Sequence, residues 1–167
     1  YLARLRRLAD AVQPLWLSDH LAWTGIDGTN SHDLLPLPLT EEALAIVCRN
    51  IDTAQDMLGR QMLIENPSTY VSFCASQMPE WEFLAALVAR TGCGLLVDVN
   101  NIHVSAHNHG LDPRDWLDGI PWPAVRQLHL AGPSQGSDGL LIDTHDTPVP
   151  EPVWALYALV RQRAGPV

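Results

Sequence analysis

The sequence predicts an α/β fold of stacked strand and helix units around a parallel sheet, and three observations carry that reading. Four short apolar runs are each followed by a polar loop and then an amphipathic segment. The runs are continuous rather than alternating, as in parallel strands covered on both faces. Each run also closes on a histidine or a carboxylate: His20 after "WLSD", Glu65 after "MLI", Asp98 after "LLV" and His129 after "RQL".

The elements follow in order. "LARLRRLADAV", Leu2 to Val12, is a helical tail broken at Pro14, and Gln13 to His20 is the first strand. A long loop rich in Gly, Pro and Asp precedes a helix from Glu41 to Leu58, capped by Thr40 and ended by Gly59. "RQMLIEN" is the second strand, stopped by Pro67. "MPEWEFLAALVART" is a helix with Pro79 near its start and Gly92 just past its end. "GLLVDVN" is the third strand, and "VDVNNIHVSAHNHG", Val97 to Gly110, reads as a polar loop after it. "DPRDWLDG" is a short helical piece, "VRQLHLAG" the fourth strand, and "PEPVWALYALVRQR" a closing helix opened by Pro152.

Composition narrows the function. With 167 residues, 47% of them hydrophobic and 17% charged, the chain suits one soluble globular domain, residues 1–167. No apolar run reaches the roughly 18 residues of a bilayer span, and "YLARLRRLAD" lacks the apolar centre of a signal peptide, so a cytoplasmic location is expected. The net charge of −9 disfavours nucleic acid and anionic membranes but suits divalent cations. All ten cationic side chains are arginines, which excludes lysine Schiff-base chemistry and a P-loop. Cys48, Cys74 and Cys93 are odd in number and widely spaced, as expected of reduced, mostly buried thiols.

The polar strand ends choose between an open sheet and a barrel. In a TIM-type (β/α)8 barrel all strand C-termini converge on one mouth, so His20, Glu65, Asp98 and His129 would share one site. An open sheet would spread them along an edge, and no Gly-rich phosphate turn follows any strand. Asp143 and His145 of "DTH" lie two residues apart, on the same side of an extended segment. Mixed histidine and carboxylate ligation is typical of iron, manganese or zinc. Taken singly, Glu65 or Asp98 reads equally well as a helix cap, and His20 or His129 as a satisfied core histidine. His32, in the proline-rich loop, is expected to be solvated. The coincidence of four strand ends carries the metal reading.

"SDHLAW", "LIENPSTY", "GLLVDVNNIHVSAHNHG", "QLHLAG" and "LLIDTHDTPVPEPVWALY" together resemble the multinuclear non-heme iron-dependent oxidative enzymes, a family that includes the methanobactin-biosynthesis oxidase and is similar in fold to xylose isomerase. The resemblance covers nearly all of the chain and implies a TIM-type barrel. Its mouth would hold two or three iron ions and use molecular oxygen to modify cysteines of a ribosomally synthesised precursor peptide. It implies His20, Glu65, Asp98, His129, Asp143 and His145 as ligands, with His109 a further candidate and Glu65 the bridging carboxylate. Asn66, Asn100 and Asn101 would lie beside the metals, as weak ligands or as groups that orient the ligands. His103 and His107 take no such role, and no general base is assigned. A leader-peptide-recognising partner protein is also implied. Pro133 in "HLAGPSQG" stands where the family pattern leads one to expect a histidine.

The resemblance further implies that the chain supplies about strands 4–7 of eight, with one histidine and one glutamate ligand lying outside it. Such a portion is expected to be a fragment of a longer product or to be completed by a second copy, and to be inactive alone. Two rivals remain open: a divalent-metal-dependent isomerase or hydrolase of the same barrel superfamily, and a metal-free binding module. Lack of lysine counts against the isomerase. Trp23, Trp81, Trp116, Trp122 and Trp154 include a possible docking aromatic, although core packing is the ordinary role of such residues.

Overall fold

A computed structural model describes residues 1–165. Helix α1, Leu2–Val12, stops at Gln13, which takes a left-handed conformation with φ 50°. The chain then runs through Pro14 into β1, Ser18–His20. The strand expected over Gln13 to His20 is therefore shorter at its start, because Gln13 serves as the helix C-cap.

A hairpin follows, β2 (Trp23–Ile26) against β3 (Thr29–Leu35), where the sequence suggested only a loop. Asp27 and Gly28 both have positive φ, 49° and 80°, which is the Asp-Gly turn that joins tightly paired strands. His32 is exposed on β3. Helix α2, Glu41–Leu58, begins at Thr40, whose side chain accepts from Ala43 N–H at 3.1 Å, and ends at left-handed Gly59.

Three β/α steps complete the frame. They are β4 (Leu63–Glu65) with α3 (Glu80–Thr91), β5 (Gly94–Asp98) with α4 (Val99–His109) and α5 (Pro113–Gly119), and β6 (Val125–His129) with α6 (Glu151–Ala164). A 3₁₀ turn, Trp122–Ala124, leads into β6. A small antiparallel pair, β7 (Ser134–Gln135) and β8 (Leu141–Ile142), lies between β6 and α6.

Strands β1, β4, β5 and β6 form one parallel sheet in that order, and six α-helices accompany it among the described residues. The core fills the space between sheet and helices: Leu44, Phe83, Leu84, Leu87, Leu95, Val99, Leu117 and Val153 are each no more than 1% exposed. Burying one such side chain contributes roughly 1.5–3 kcal/mol, so this layer dominates the stability of the sheet. Among the described residues no helix is long and apolar enough to cross a membrane.

Val97 to Gly110 departs from the loop reading. The segment is a helix almost from its start, because Asp98 caps it through a hydrogen bond from Asn101 N–H to Oδ1 at 2.9 Å. Gly110, with φ 67°, ends it, its N–H bonding back to Ala106. Val99, Ile102, Val104 and Ala106 are buried along the helix. His103 and His107, expected on a loop, therefore sit on this helix.

Candidate metal centre

Sheet register brings the strand ends together. His20 is the direct partner of Glu65 across β1 and β4, and Asp98 is the direct partner of His129 across β5 and β6. Glu65 pairs with Leu96, two residues before Asp98 and therefore on the same face of β5. Four side chains at the C-terminal ends of four adjacent parallel strands thus share one rim.

The contacts are close. His129 Nδ1 lies 3.0 Å from Glu65 Oε1 and 3.7 Å from Asp98 Oδ2, while His20 Nε2 lies 3.3 Å from Glu65 Oε2. Glu65, Asp98 and His129 each offer a donor atom within 4.8 Å of the others. Ligand atoms that each sit about 2.1 Å from one ion are about 3–3.5 Å apart, so this spacing suits a shared cation. Glu65 presents one oxygen to each histidine, the arrangement a bridging carboxylate needs.

Electrostatics point the same way. Glu65 is 4% exposed and Asp98 1% exposed. Burial pushes the Asp98 carboxyl up from 3.8 to about 6, against the hydrogen bond from Asn101, and the nearby charges of Asp143 and Glu65 push it further. Closely spaced, buried carboxylates of this kind are stabilised by a cation. Both the spacing and the chemistry of the donors therefore fit a divalent metal.

A second group adjoins the first. Asp143 Oδ1 is 2.9 Å from His145 Nε2 and accepts from Asn100 Nδ2 at 2.6 Å. Asp143 N–H donates to Tyr70 Oη at 3.1 Å, and Ser68 Oγ lies 3.4 Å from Asp143 Oδ2. Ser68 and Tyr70 were not singled out in the sequence, although both belong to "LIENPSTY". His145 has φ 57°, an uncommon conformation for a residue with a side chain, and this turn sets the Asp143 and His145 pair.

The asparagines divide their work. Asn66 bridges two strand ends, donating from Nδ2 to Asp98 O and accepting at Oδ1 from Asp98 N–H. Asn101 Nδ2 donates to Asn66 O. The Oδ1 atoms of Asn100 and Asn101 are buried without a hydrogen-bond partner among the described residues, so each retains a free acceptor beside the carboxylates.

His109 lies elsewhere. Its Nε2 is 2.9 Å from Thr69 Oγ1, and it lines a cavity of about 440 Å³ with Thr69 and Ser105, outside the tight group of Glu65, Asp98 and His129. His103 is partly buried, and desolvation lowers its pKa, which favours the neutral ring. His107 Nε2 meets Gly139 O at 3.1 Å. Cys48 and Cys93 are buried thiols and Cys74 is exposed.

Known proteins place this arrangement in context. The sequence pattern of the family described as "RiPP precursor modification enzyme MbnB/TglH/ChrH" matches residues 1–167. A UPF0276 protein of Rhizorhabdus wittichii is 68% identical over 167 residues, covering 100% of this chain and 59% of the relative. A UPF0276 protein of Caulobacter vibrioides is 61% identical over the same length and shares, and one of Anaeromyxobacter sp. is 52% identical over 165 residues, covering 99% of this chain and 58% of the relative. The chain thus spans less than two thirds of the length of these curated relatives. With its pattern matched from end to end, the chain belongs to the family of RiPP precursor modification enzymes MbnB/TglH/ChrH.

Proposed function

We propose that the longer protein to which this sequence corresponds is a multinuclear non-heme iron-dependent, O2-using oxidase that modifies cysteines of a ribosomally synthesised precursor peptide. The observation that carries the metal part is the convergence of Glu65, Asp98 and His129, with His20 against Glu65, at the ends of adjacent parallel strands. Active sites of TIM-type barrels lie at that end of the strands, and we read the four-stranded sheet as part of such a barrel. The peptide and its cysteine are inferred from the family.

In this reading Glu65, Asp98, His129 and His20 hold one part of the metal centre, and Asp143 with His145 another. Bound iron would supply the redox chemistry by which molecular oxygen oxidises a substrate cysteine. The chain's own residues supply charge, position and shelter. Glu65 and Asp98 bring buried negative charge and Asp143 half-buried negative charge to the rim, and His20 and His129 supply imidazole nitrogens directed at Glu65. Asn66 fixes the ends of β4 and β5 to one another, which holds Glu65 and Asp98 in register. Asn100 and Tyr70 orient Asp143. A partner protein that recognises the leader segment of the peptide belongs to the same proposal.

Iron analysis with Mössbauer spectroscopy, on the full-length gene product made anaerobically with iron, tests this reading. Two or more irons per chain with coupled spectra are expected. Zinc alone, or no metal, would sink it.

A further inference from the structure

Beyond Asn66 the chain runs without helix or strand from Pro67 to Phe73, bending at Tyr70, before turning toward α3. Its first side chains alternate between two sides. Ser68 and Tyr70 turn to Asp143, whereas Pro67, Thr69 and Val71 line the cavity of about 440 Å³ on the other side. One strap therefore forms a wall of the cavity and a support of the candidate metal centre.

The chemistry of the cavity is specific. Its walls include the indoles of Trp81 and Trp116 and the ring of Phe73. Gly119 makes room for Trp81, since a Cβ there would overlap the indole. Into this aromatic setting the start of α3 places Glu80, whose Oε2 accepts from Trp116 Nε1 at 2.8 Å. Trp116 is a neutral donor, and among the described residues no arginine lines the cavity, while its histidine, His109, is engaged at Nε2 by Thr69 Oγ1 at 2.9 Å. Asp112, at the rim, is already paired with Arg114 at 2.7 Å. Burial, opposed by the Trp116 hydrogen bond, raises the Glu80 carboxyl to about 7, the behaviour of an acid without a cationic partner. The mouth is apolar and open, with Val71 56%, Leu111 57% and Phe73 37% exposed.

We propose that this cavity receives a basic side chain, arginine or lysine, of a bound peptide, with its charge against Glu80 and its stem among Trp81, Trp116 and Phe73. Charge complementarity selects this occupant: an anion would meet the Glu80 carboxylate, whereas a cation gains both that carboxylate and the aromatic faces. The volume is that of a small-ligand pocket, ample for one long side chain and part of its neighbour. Only the identification of that peptide as the substrate rests on the function proposed above. A residue seated here would bear on Pro67, Thr69 and Val71, on the reverse of the strap that holds Asp143.

The test uses the full-length gene product labelled at its indole nitrogens, with the Trp116 resonance assigned through Trp116→Phe. The probes are N-acetyl-arginine methylamide, its uncharged isostere N-acetyl-citrulline methylamide, and N-acetyl-norleucine methylamide. The arginine probe is expected to shift the Trp116 indole signal and to bind at least tenfold more tightly than either of the others. Glu80→Gln, which retains an oxygen for Trp116, should reduce arginine to the citrulline level. Phe73→Ala, at the exposed mouth, should weaken arginine binding at least threefold and serves as an independent variant. Equal binding of arginine and citrulline, tighter binding of norleucine, or no shift at Trp116 would overturn the proposal. The probes contain no cysteine and the readout needs no metal, so this result and the iron analysis succeed or fail separately.

Discussion

Replacing Asp98 by asparagine should make the metal-free protein more stable while weakening its hold on metal. Asparagine caps helices as well as aspartate, so the hydrogen bond from Asn101 N–H survives and α4 keeps its start. What disappears is a buried charge. The Asp98 carboxyl titrates at about 6 in the folded protein, against an ordinary 3.8, chiefly because it is buried. A gap of about two pH units at about 1.4 kcal/mol each corresponds to about 3 kcal/mol. The sign follows from which state binds more protons. Below pH 4 the group is neutral whether the chain is folded or not, and the native protein bears no penalty. As the pH rises from about 4 to 6, the unfolded chain releases its proton first, and native stability falls. Above pH 6 the loss is complete and stays constant. Urea unfolding of chelator-treated protein should therefore show Asp98→Asn gaining up to about 3 kcal/mol on the native protein at pH 7.5, and far less at pH 4. With iron present the order should reverse, with at least tenfold weaker metal binding. A variant less stable than the native protein at pH 7.5 without metal, or a difference that does not change between pH 4 and 7.5, would refute the argument that Asp98 is a strained charge awaiting a cation.

Other expectations follow from the same geometry. His129→Ala removes the imidazole that faces both Glu65 and Asp98, and should at least halve bound iron while leaving far-ultraviolet circular dichroism unchanged; full metal content would dismiss His129 as a ligand. Tyr70→Phe deletes the acceptor for Asp143 N–H, and should lower stability by about 1–2 kcal/mol and reduce iron stoichiometry; unchanged stoichiometry would free the strap from any part in holding Asp143. Thr40→Ala, far from the metal rim, should cost about 1 kcal/mol by leaving Ala43 N–H uncapped, with iron content unaffected, as thermal unfolding and metal analysis would report.

The parts of this molecule that sequence made legible share a physical cause. "MLIE" and "LLVD" join a buried apolar run to a polar terminus, "RQLH" ends a neighbouring strand in the same way on a half-exposed run, and parallel pairing leaves such termini on one rim, so Glu65, Asp98 and His129 could be grouped from the sequence. Helix α4 was hidden because asparagine, histidine and serine are mediocre helix formers. The Asp98 cap, Gly110 and the burial of Val99, Ile102 and Val104 outweigh that composition, and these signals were present but overshadowed by the polar residues between them. The β2 and β3 hairpin was announced by Asp27-Gly28, masked by the surrounding prolines and polar residues. Ser68 and Tyr70 could not be read at all, since Asp143 lies 75 and 73 residues away and nothing local marks the contact. His109 was grouped with the ligands through its family motif, while tertiary packing sets it against Thr69.

Asp98 shows why a helix cap and a metal-site residue need not be competing explanations. One carboxylate oxygen, Oδ1, accepts from Asn101 and starts α4, while the other, Oδ2, faces His129. The positive end of the helix favours the anionic form that a metal requires, and this partly offsets burial before any cation arrives. The cap also fixes the carboxyl in one orientation, so less freedom is lost when a metal binds. Placing the same carboxylate on a loop would remove both effects. The helix beginning at Val99 is therefore what allows a charged group only 1% exposed to be kept at the end of β5. The same cap carries Asn100 and Asn101 into the first turn, where Asn100 reaches Asp143 and Asn101 ties back to Asn66. One capped helix start thereby joins the Glu65, Asp98 and His129 group to the Asp143 and His145 pair, giving the two halves of the candidate centre a common structural support.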